Sequence, residues 1–240
     1  MRTLMMAAAE RKRLSDWRKH LKIDLDIQSN RIVNKVTGEQ AVIPSGMTFG
    51  KLNDKDVAVF TSGVTGGIQL AHDPEFAPGT GDFTFEVLLD VDGVHLNTAD
   101  NSQIVPMCMW GTWGAPGQTM QMDVFYNHLN GGTLNLGRYA PSGNSYITTP
   151  ALGAIDQAIV NHLVFQRKAG VLYIYRNGIL VHSAPYTTDL IGNVNGPFRI
   201  MSRRGGGSGQ VWWRFIGKLI GFRLTHAAIY NGNFVSPASF

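Results

Sequence analysis

Apolar and polar positions alternate in short runs along most of this chain, and glycine, proline and asparagine break the runs roughly every dozen residues. The clearest run is Phe83–Val91. Phe83, Phe85, Val87 and Leu89 alternate with Thr84, Glu86 and Leu88, which predicts a strand with one firmly buried face. The stretch 159–183, IVNHLVFQRKAGVLYIYRNGILVHS, predicts an antiparallel meander of three strands. Lys168-Ala169-Gly170 supplies its first turn and Asn177-Gly178 its second, because a type I′ turn needs positive φ at both central residues. On the middle strand Leu172 and Ile174 share one face, with Val171, Tyr173 and Tyr175 on the other. Both faces are partly apolar, as expected of a strand with another sheet against it. Shorter strands are predicted at Ile23–Ile27, Arg31–Val36, Gln40–Ile43, Val57–Phe60 and Ile68–Leu70.

The first 22 residues follow a different rule. Residues 3–21 hold good helix formers and no Gly or Pro, and Leu14, Trp17 and Leu21 fall at helical spacing among charges. This predicts a short basic amphipathic helix ahead of a β domain over 23–240. Such a helix needs something to pack on. It serves either to dock on a partner, through Leu14, Trp17, Leu21, Arg11, Arg13 and Arg18, or to cap its own sheet. The charge follows the same division. The chain is +4 overall, but seven Lys/Arg against two acids give residues 1–22 a net +5, so the other 218 residues carry about −1. The basic character therefore belongs to one segment. A solvated helix face accounts for it more simply than nucleic acid, which is not expected as a partner.

The single cysteine, Cys108, excludes an intramolecular disulfide framework, so packing alone must hold the fold. No run approaches a membrane span, and Leu4–Ala9 is too short for a secretory apolar region before Glu10-Arg11-Lys12-Arg13. The expectation is a protein that stays in the cell making it until released.

Three segments carry a family resemblance. PEFAPGTGDFTFEVLLDV at 74–91 resembles the "fgtgDFTiEfwv" segment of concanavalin A-like, laminin-G-type jelly rolls. The 159–183 meander resembles "WyHvAvtr…lrlYvNGvlv", with Val160-Asn161-His162 for Trp-x-His and Arg176-Asn177-Gly178 for Val-Asn-Gly. FIGKLIGFRLTHAAIYNGNFVSP at 215–237 resembles the closing "fnGyideFRit…arYtgnFtpP" through Phe215, Gly217, Phe222, Arg223, Tyr230, Gly232, Asn233, Phe234 and Pro237. The resemblance implies an all-β, two-sheet antiparallel jelly-roll sandwich. The segment 92–150 matches only loosely, and binding chemistry is the least transferable part of such a likeness.

Catalytic signals are weak. Glucanase relatives carry paired carboxylates on one strand, close to E-x-D-x-E, whereas Asp24/Asp26 and Asp90/Asp92 have no third acid. No enzyme activity is expected. The seven histidines are scattered, and His162 reads as a packed core residue. No cofactor is expected. Calcium would need oxygens such as those of His72-Asp73-Pro74-Glu75 or Asn97-Thr98-Ala99-Asp100, which read more simply as polar loops. Arg203-Arg204 and the glycines after them lack the Gly-Lys-Ser/Thr end of a phosphate loop and read as a loop between strands. Trp113, Tyr126, Tyr139 and Tyr146 lie amid Gly, Pro, Asn and Ser, where aromatic faces stack on sugars or anchor interfaces, with core burial as the third reading. Trp110, close to Cys108, reads as core.

Proteins resembling this jelly-roll type are frequent among bacteriophage tail, fibre and head-decoration proteins. That implies a virion structural protein, assembled in the host cytoplasm with other virion proteins and as a homo-oligomer. The alternative is a carbohydrate-binding module or host-receptor adhesin, with glycan as its partner. A glycoside hydrolase is third.

Overall fold

In the computed structural model, the alternating runs among the described residues pair into sixteen antiparallel strands. The described residues are 17–96, 103–111, 120–127, 131–140, 143–153, 155–157, 159–190, 196–204, 212–238 and 240. The strands are β1 (Leu21–Ile27), β2 (Ile32–Asn34), β3 (Thr48–Leu52), β4 (Lys55–Phe60), β5 (Ile68–Leu70), β6 (Phe83–Leu96), β7 (Gln103–Gly111) and β8 (Met120–Asn127). They continue as β9 (Thr133–Ala140), β10 (Gly143–Thr148), β11 (Val160–Lys168), β12 (Val171–Arg176), β13 (Ile179–Pro185), β14 (Phe198–Ile200), β15 (Ser202–Arg204) and β16 (Trp212–Thr225).

The first sheet runs β13-β12-β11-β6-β16, and β16 pairs further with β1, which leads to β2, and with β4, which leads to β3. The second runs β10-β9-β8-β7-β14-β5. The end of the long strand β6 passes into the second sheet, where His95 and Leu96 pair with Ile104 and Gln103 of β7. The chain is thus an all-β, two-sheet antiparallel jelly-roll sandwich. The inner faces of the two sheets meet in one core. Phe85 of β6 packs edge-to-face on Phe165 of β11 and Phe222 of β16, and Phe222 packs on Phe198 of β14. Each such ring contributes about 1.5–3 kcal/mol when taken out of water.

The expected meander is present, with both turns of the expected kind. Ala169 and Gly170 have φ of 50° and 76°, and Asn177 and Gly178 have 52° and 79°. Leu172 and Ile174 are wholly buried, while Tyr175, on the opposite face, lies under the C-terminal segment.

Three expectations are corrected. The helix expected over 3–21 does not reach its end. Trp17–His20 is one turn of 3-10 helix, and from Leu21 the backbone pairs with Thr225, which commits it to β1. Residues 1–16, with Leu14, Arg11 and Arg13, lie outside the described residues. The loosely matching segment is not a set of aromatic loops but largely the meander β7–β10 of the second sheet. The strand expected at Gln40–Ile43 is reduced to two isolated bridges, Val33 to Gln40 and Val42 to Gln69, while Thr48–Leu52 forms a strand that the apolar pattern had not indicated. Among the described residues no helix is long and apolar enough to cross a membrane.

Candidate functional site

Alternation gives each sheet an outward face. On the first sheet, pairing sets Arg223 of β16 beside Glu86 of β6, with Thr225, Thr84 and Gln166 in the next row. Glu86 is wholly buried. It accepts hydrogen bonds from the Tyr230 hydroxyl at 2.5 Å and Arg223 Nη2 at 2.8 Å, and His162 Nε2 lies 3.2 Å away. Gln166 accepts from the backbone N–H groups of Ile229 and Tyr230, both at 2.7 Å, and donates to the Tyr230 carbonyl at 2.8 Å. Above them Phe234 stacks on Tyr230 at 3.6 Å, and Phe240 and Trp17 flank the Arg223 guanidinium. The segment after β16 therefore roofs this face. Burial pushes the Glu86 carboxyl up, but the hydrogen bond from His162 and the charge of Arg223 outweigh it and leave the group below its ordinary value. Burial and the Glu86 charge push the Tyr230 hydroxyl up. A carboxylate enclosed on these terms has no open side for a substrate.

Two hollows border the roofed face. One, of about 150 Å³, is lined by Tyr173, Leu180 and Tyr230, and its polar residues are already engaged: Lys168 donates to Asn231 at 2.6 Å, and Gln166 is used as above. The other, of about 350 Å³, lies between Leu52, Ile220 and Pro237.

The outward face of the second sheet is built differently. Val124 and Tyr126, Leu134 and Leu136, and Phe198 and Ile200 point into the core, so the residues between them point outward. Register then lays one row across six strands: Gln69 of β5, Arg199 of β14, Met109 of β7, Asp123 of β8, Gly137 of β9 and Tyr146 of β10. At about 4.8 Å per strand spacing the row spans about 24 Å. A second row sets Phe125, Asn135 and Thr148 side by side. The Tyr146 hydroxyl donates to Asp123 Oδ2 at 3.0 Å, and the Phe125 and Tyr146 rings meet edge-on at 6.3 Å. Thr148 donates to Asn135 Oδ1 at 2.7 Å, and Asn135 donates to the Thr133 carbonyl at 3.1 Å. The result is a band of hydroxyls, an amide, a carboxylate and a guanidinium around two aromatic rings.

The expected site residues are divided by this geometry. Tyr146 lies on the outward row, half-buried. Tyr126 does not; it is 1% exposed, faces the core and donates to the Gly153 carbonyl at 2.7 Å, so its ring has no free face for a ligand. Tyr139 falls in β9, opposite Asn144 and Met120, and Trp110 in β7, opposite Phe198. Trp113 lies outside the described residues. Three of the six docking residues are engaged within the domain: Trp17 against Arg223, Arg18 beside the same ring, and Leu21 in β1. His162 is the packed histidine expected.

The oxygens considered for calcium have other work. Asp73 Oδ1 accepts from the Glu75 N–H at 2.8 Å, and Glu75 pairs with Lys22 at 2.6 Å. Asn97–Asp100 lie outside the described residues, and among the described residues no three His, Cys, Asp or Glu stand together as metal ligands. Of the strand acids, Asp24 pairs with Lys35 and Asp90 and Asp92 with Lys218. Arg203 and Arg204 pair with Trp213 and Trp212, and the glycines between lie outside the described residues. Cys108 is buried; burial first, then the Asp123 charge, push its thiol up, so it stays protonated. Asp123, Asn135 and Arg199 were not singled out from sequence. The available signal was a lone polar residue inside each apolar strand, MQMDVFYN, TLNLGRYA and FRI.

No family model matches the chain, and no curated protein matches it. Solved structures do. The binding domain of Paraclostridial Mosquitocidal Protein 1 superposes with a TM-score of 0.60 at 13% identity, covering 88% of this chain and 50% of that one. The binding domain of botulinum neurotoxin serotype G gives 0.57 at 13% identity, covering 87% of this chain and 48% of that one. Domain 4 of AbnA, a GH43 extracellular arabinanase from Geobacillus stearothermophilus solved with arabinotriose, gives 0.53 at 13% identity, covering 86% and 84%. The chain spans about half of each toxin domain and most of the arabinanase domain. At such identities the likeness carries the fold: this chain is a jelly-roll sandwich similar to these binding domains.

Proposed function

We propose that this chain is a non-catalytic carbohydrate-binding domain that holds glycan on the outward face of its second sheet. The observation that carries this reading is the cross-strand row from Gln69 to Tyr146, with Phe125, Asn135 and Thr148 beside it. Sugar recognition needs aromatic surface for the apolar side of a ring and fixed donors and acceptors for its hydroxyls; on this face solvent reaches the half-buried Tyr146 and the exposed Thr148, above Phe125, Asp123 and Asn135, which are buried. The arabinanase domain solved with arabinotriose supports the reading at the level of fold.

Hydrolysis makes a different demand. Two carboxylates must flank the scissile bond, about 5–9.5 Å apart. Asp123 is the one acid in the six strands of this sheet, and the buried Glu86 belongs to the other sheet. A printed glycan array probed with the full chain tests the proposal. Saturable binding to a subset of glycans, with no release of reducing ends on incubation, is the expected result. An array with no signal, or steady hydrolysis, contradicts it.

A further inference from the structure

We infer that the hollow between the β3–β4 hairpin and the segment after β16 is a binding site for a small molecule with an apolar body and a carboxylate end. The site lies on the first sheet and is independent of the glycan reading. Its walls come from four parts of the chain. Leu52 and Lys55 pair directly across the β3–β4 turn, so their side chains leave the hairpin on one face. Asn53 and Asp54 between them have φ of 48° and 63°, which closes the hairpin in two residues and fixes that pairing. Ile220 is the extra residue of a β-bulge, since Leu219 and Gly221 pair with the consecutive Leu89 and Leu88 of β6. Val160 opens β11, and Pro237 belongs to the segment that roofs this sheet.

The chemistry of the hollow is divided. Leu52, Val160, Ile220 and Pro237 give it an apolar lining, while Lys55, Asn53 and Ser236 bring an ammonium, an amide and a hydroxyl. None of these three polar side chains has an ion pair or hydrogen bond among the described residues. The smaller hollow differs in this respect, because its Lys168 and Gln166 are engaged. The acids nearby are held elsewhere: Asp56 pairs with Lys51 at 2.9 Å, and Asp90 with Lys218 at 2.7 Å. Asp54, at the tip of the hairpin, is not among the lining residues. The unpaired charge at the hollow is therefore positive and favours an anion. Size narrows the class further. At about 350 Å³ the hollow is more than twice the cavity of about 150 Å³ that takes a benzene ring, and it falls within the range of small-molecule pockets. Ile159 and Val235, 46% and 94% exposed, precede Val160 and Ser236 and extend the apolar surface beside the rim. The class of ligand is a monocarboxylate with an aliphatic or single-ring body.

The test titrates the full chain with octanoate, hexanoate, octanamide and octylamine. Affinity is read by ligand-observed NMR and folding by thermal unfolding. Octanoate should bind saturably. Hexanoate should bind about tenfold more weakly, at about fourfold for each buried methylene lost. Octanamide lacks the charge and should bind about threefold more weakly, because an ion pair at a rim open to water adds little. Octylamine should not bind. Ile220→Glu puts a carboxylate into the apolar lining and should abolish octanoate binding. Lys55→Glu alters an exposed side chain and should weaken it by about tenfold or more. Neither variant should change glycan binding on the second sheet. If octanoate does not saturate wild type, or if either variant folds and binds it as tightly, the site is overturned while the glycan reading stands. Octanamide or octylamine binding as tightly as octanoate overturns the carboxylate class.

Discussion

Both sheets of this sandwich carry polar side chains on their outward faces, yet the two faces are finished in opposite ways. On the first, Glu86, His162, Arg223 and Gln166 are enclosed by the segment after β16, and their partners come from within the domain. On the second, Asp123 and Asn135 are buried as well, but beneath Tyr146, which is half-buried, and Thr148, which is exposed. Enclosed polar groups specify one arrangement of the chain, because leaving any of them unpaired is costly. On the second sheet, the half-buried Tyr146 and the exposed Thr148 are where such a network meets solvent. The contrast separates a structural network from a binding face, and perturbation on each side should have different readouts.

The largest effect is expected from Glu86→Ala. It leaves Arg223, His162 and Tyr230 without their shared carboxylate and should cost about 3–5 kcal/mol of stability, read by urea unfolding, with glycan affinity of the folded fraction unchanged. Gly178→Ala should cost more than about 1 kcal/mol. Gly178 has φ of 79° in the β12–β13 turn, and a Cβ there would lie 2.0 Å from the Phe234 carbonyl, so the same position joins the turn to the roof.

A smaller effect is confined to acid. The Glu86 carboxyl is held below its ordinary value in the folded state, so the unfolded chain takes up its proton first. Its contribution is fully present above the unfolded value, about 4.3, and is lost as pH falls through the lower folded value. Glu86→Gln should therefore flatten the acid limb of the stability curve; a limb as steep as in wild type would assign the acid sensitivity elsewhere. The smallest expected change in stability is that of Thr148→Ala, within about 0.5 kcal/mol because the side chain is exposed. On the binding face the same change should still lower glycan affinity, measurable by titration.

Much of this architecture is legible in the chain. Phe83 to Leu89 alternate because one face is core, and Asn177-Gly178 can only be a tight turn, so β6 and the meander β11–β13 follow from local rules. Both outward faces escape such rules because sequence-distant strands assemble them. Glu86 meets Tyr230 across 144 residues, and Asp123 meets Tyr146 across 23, through a register that no single segment specifies. The segment after β16 has no strand pattern, since its task is to cover a sheet rather than to join one. Tyr126 and Tyr146 have the same polar surroundings in sequence and opposite fates, because strand parity decides which face each side chain takes.

The two faces are separated most directly by titrating the full chain, Tyr146→Leu and Tyr230→Phe with the tightest neutral oligosaccharide found on the array. Wild type and Tyr230→Phe should bind it alike while Tyr146→Leu loses it. Retained affinity in Tyr146→Leu with loss in Tyr230→Phe would place the ligand on the roofed sheet and contradict the assignment made here.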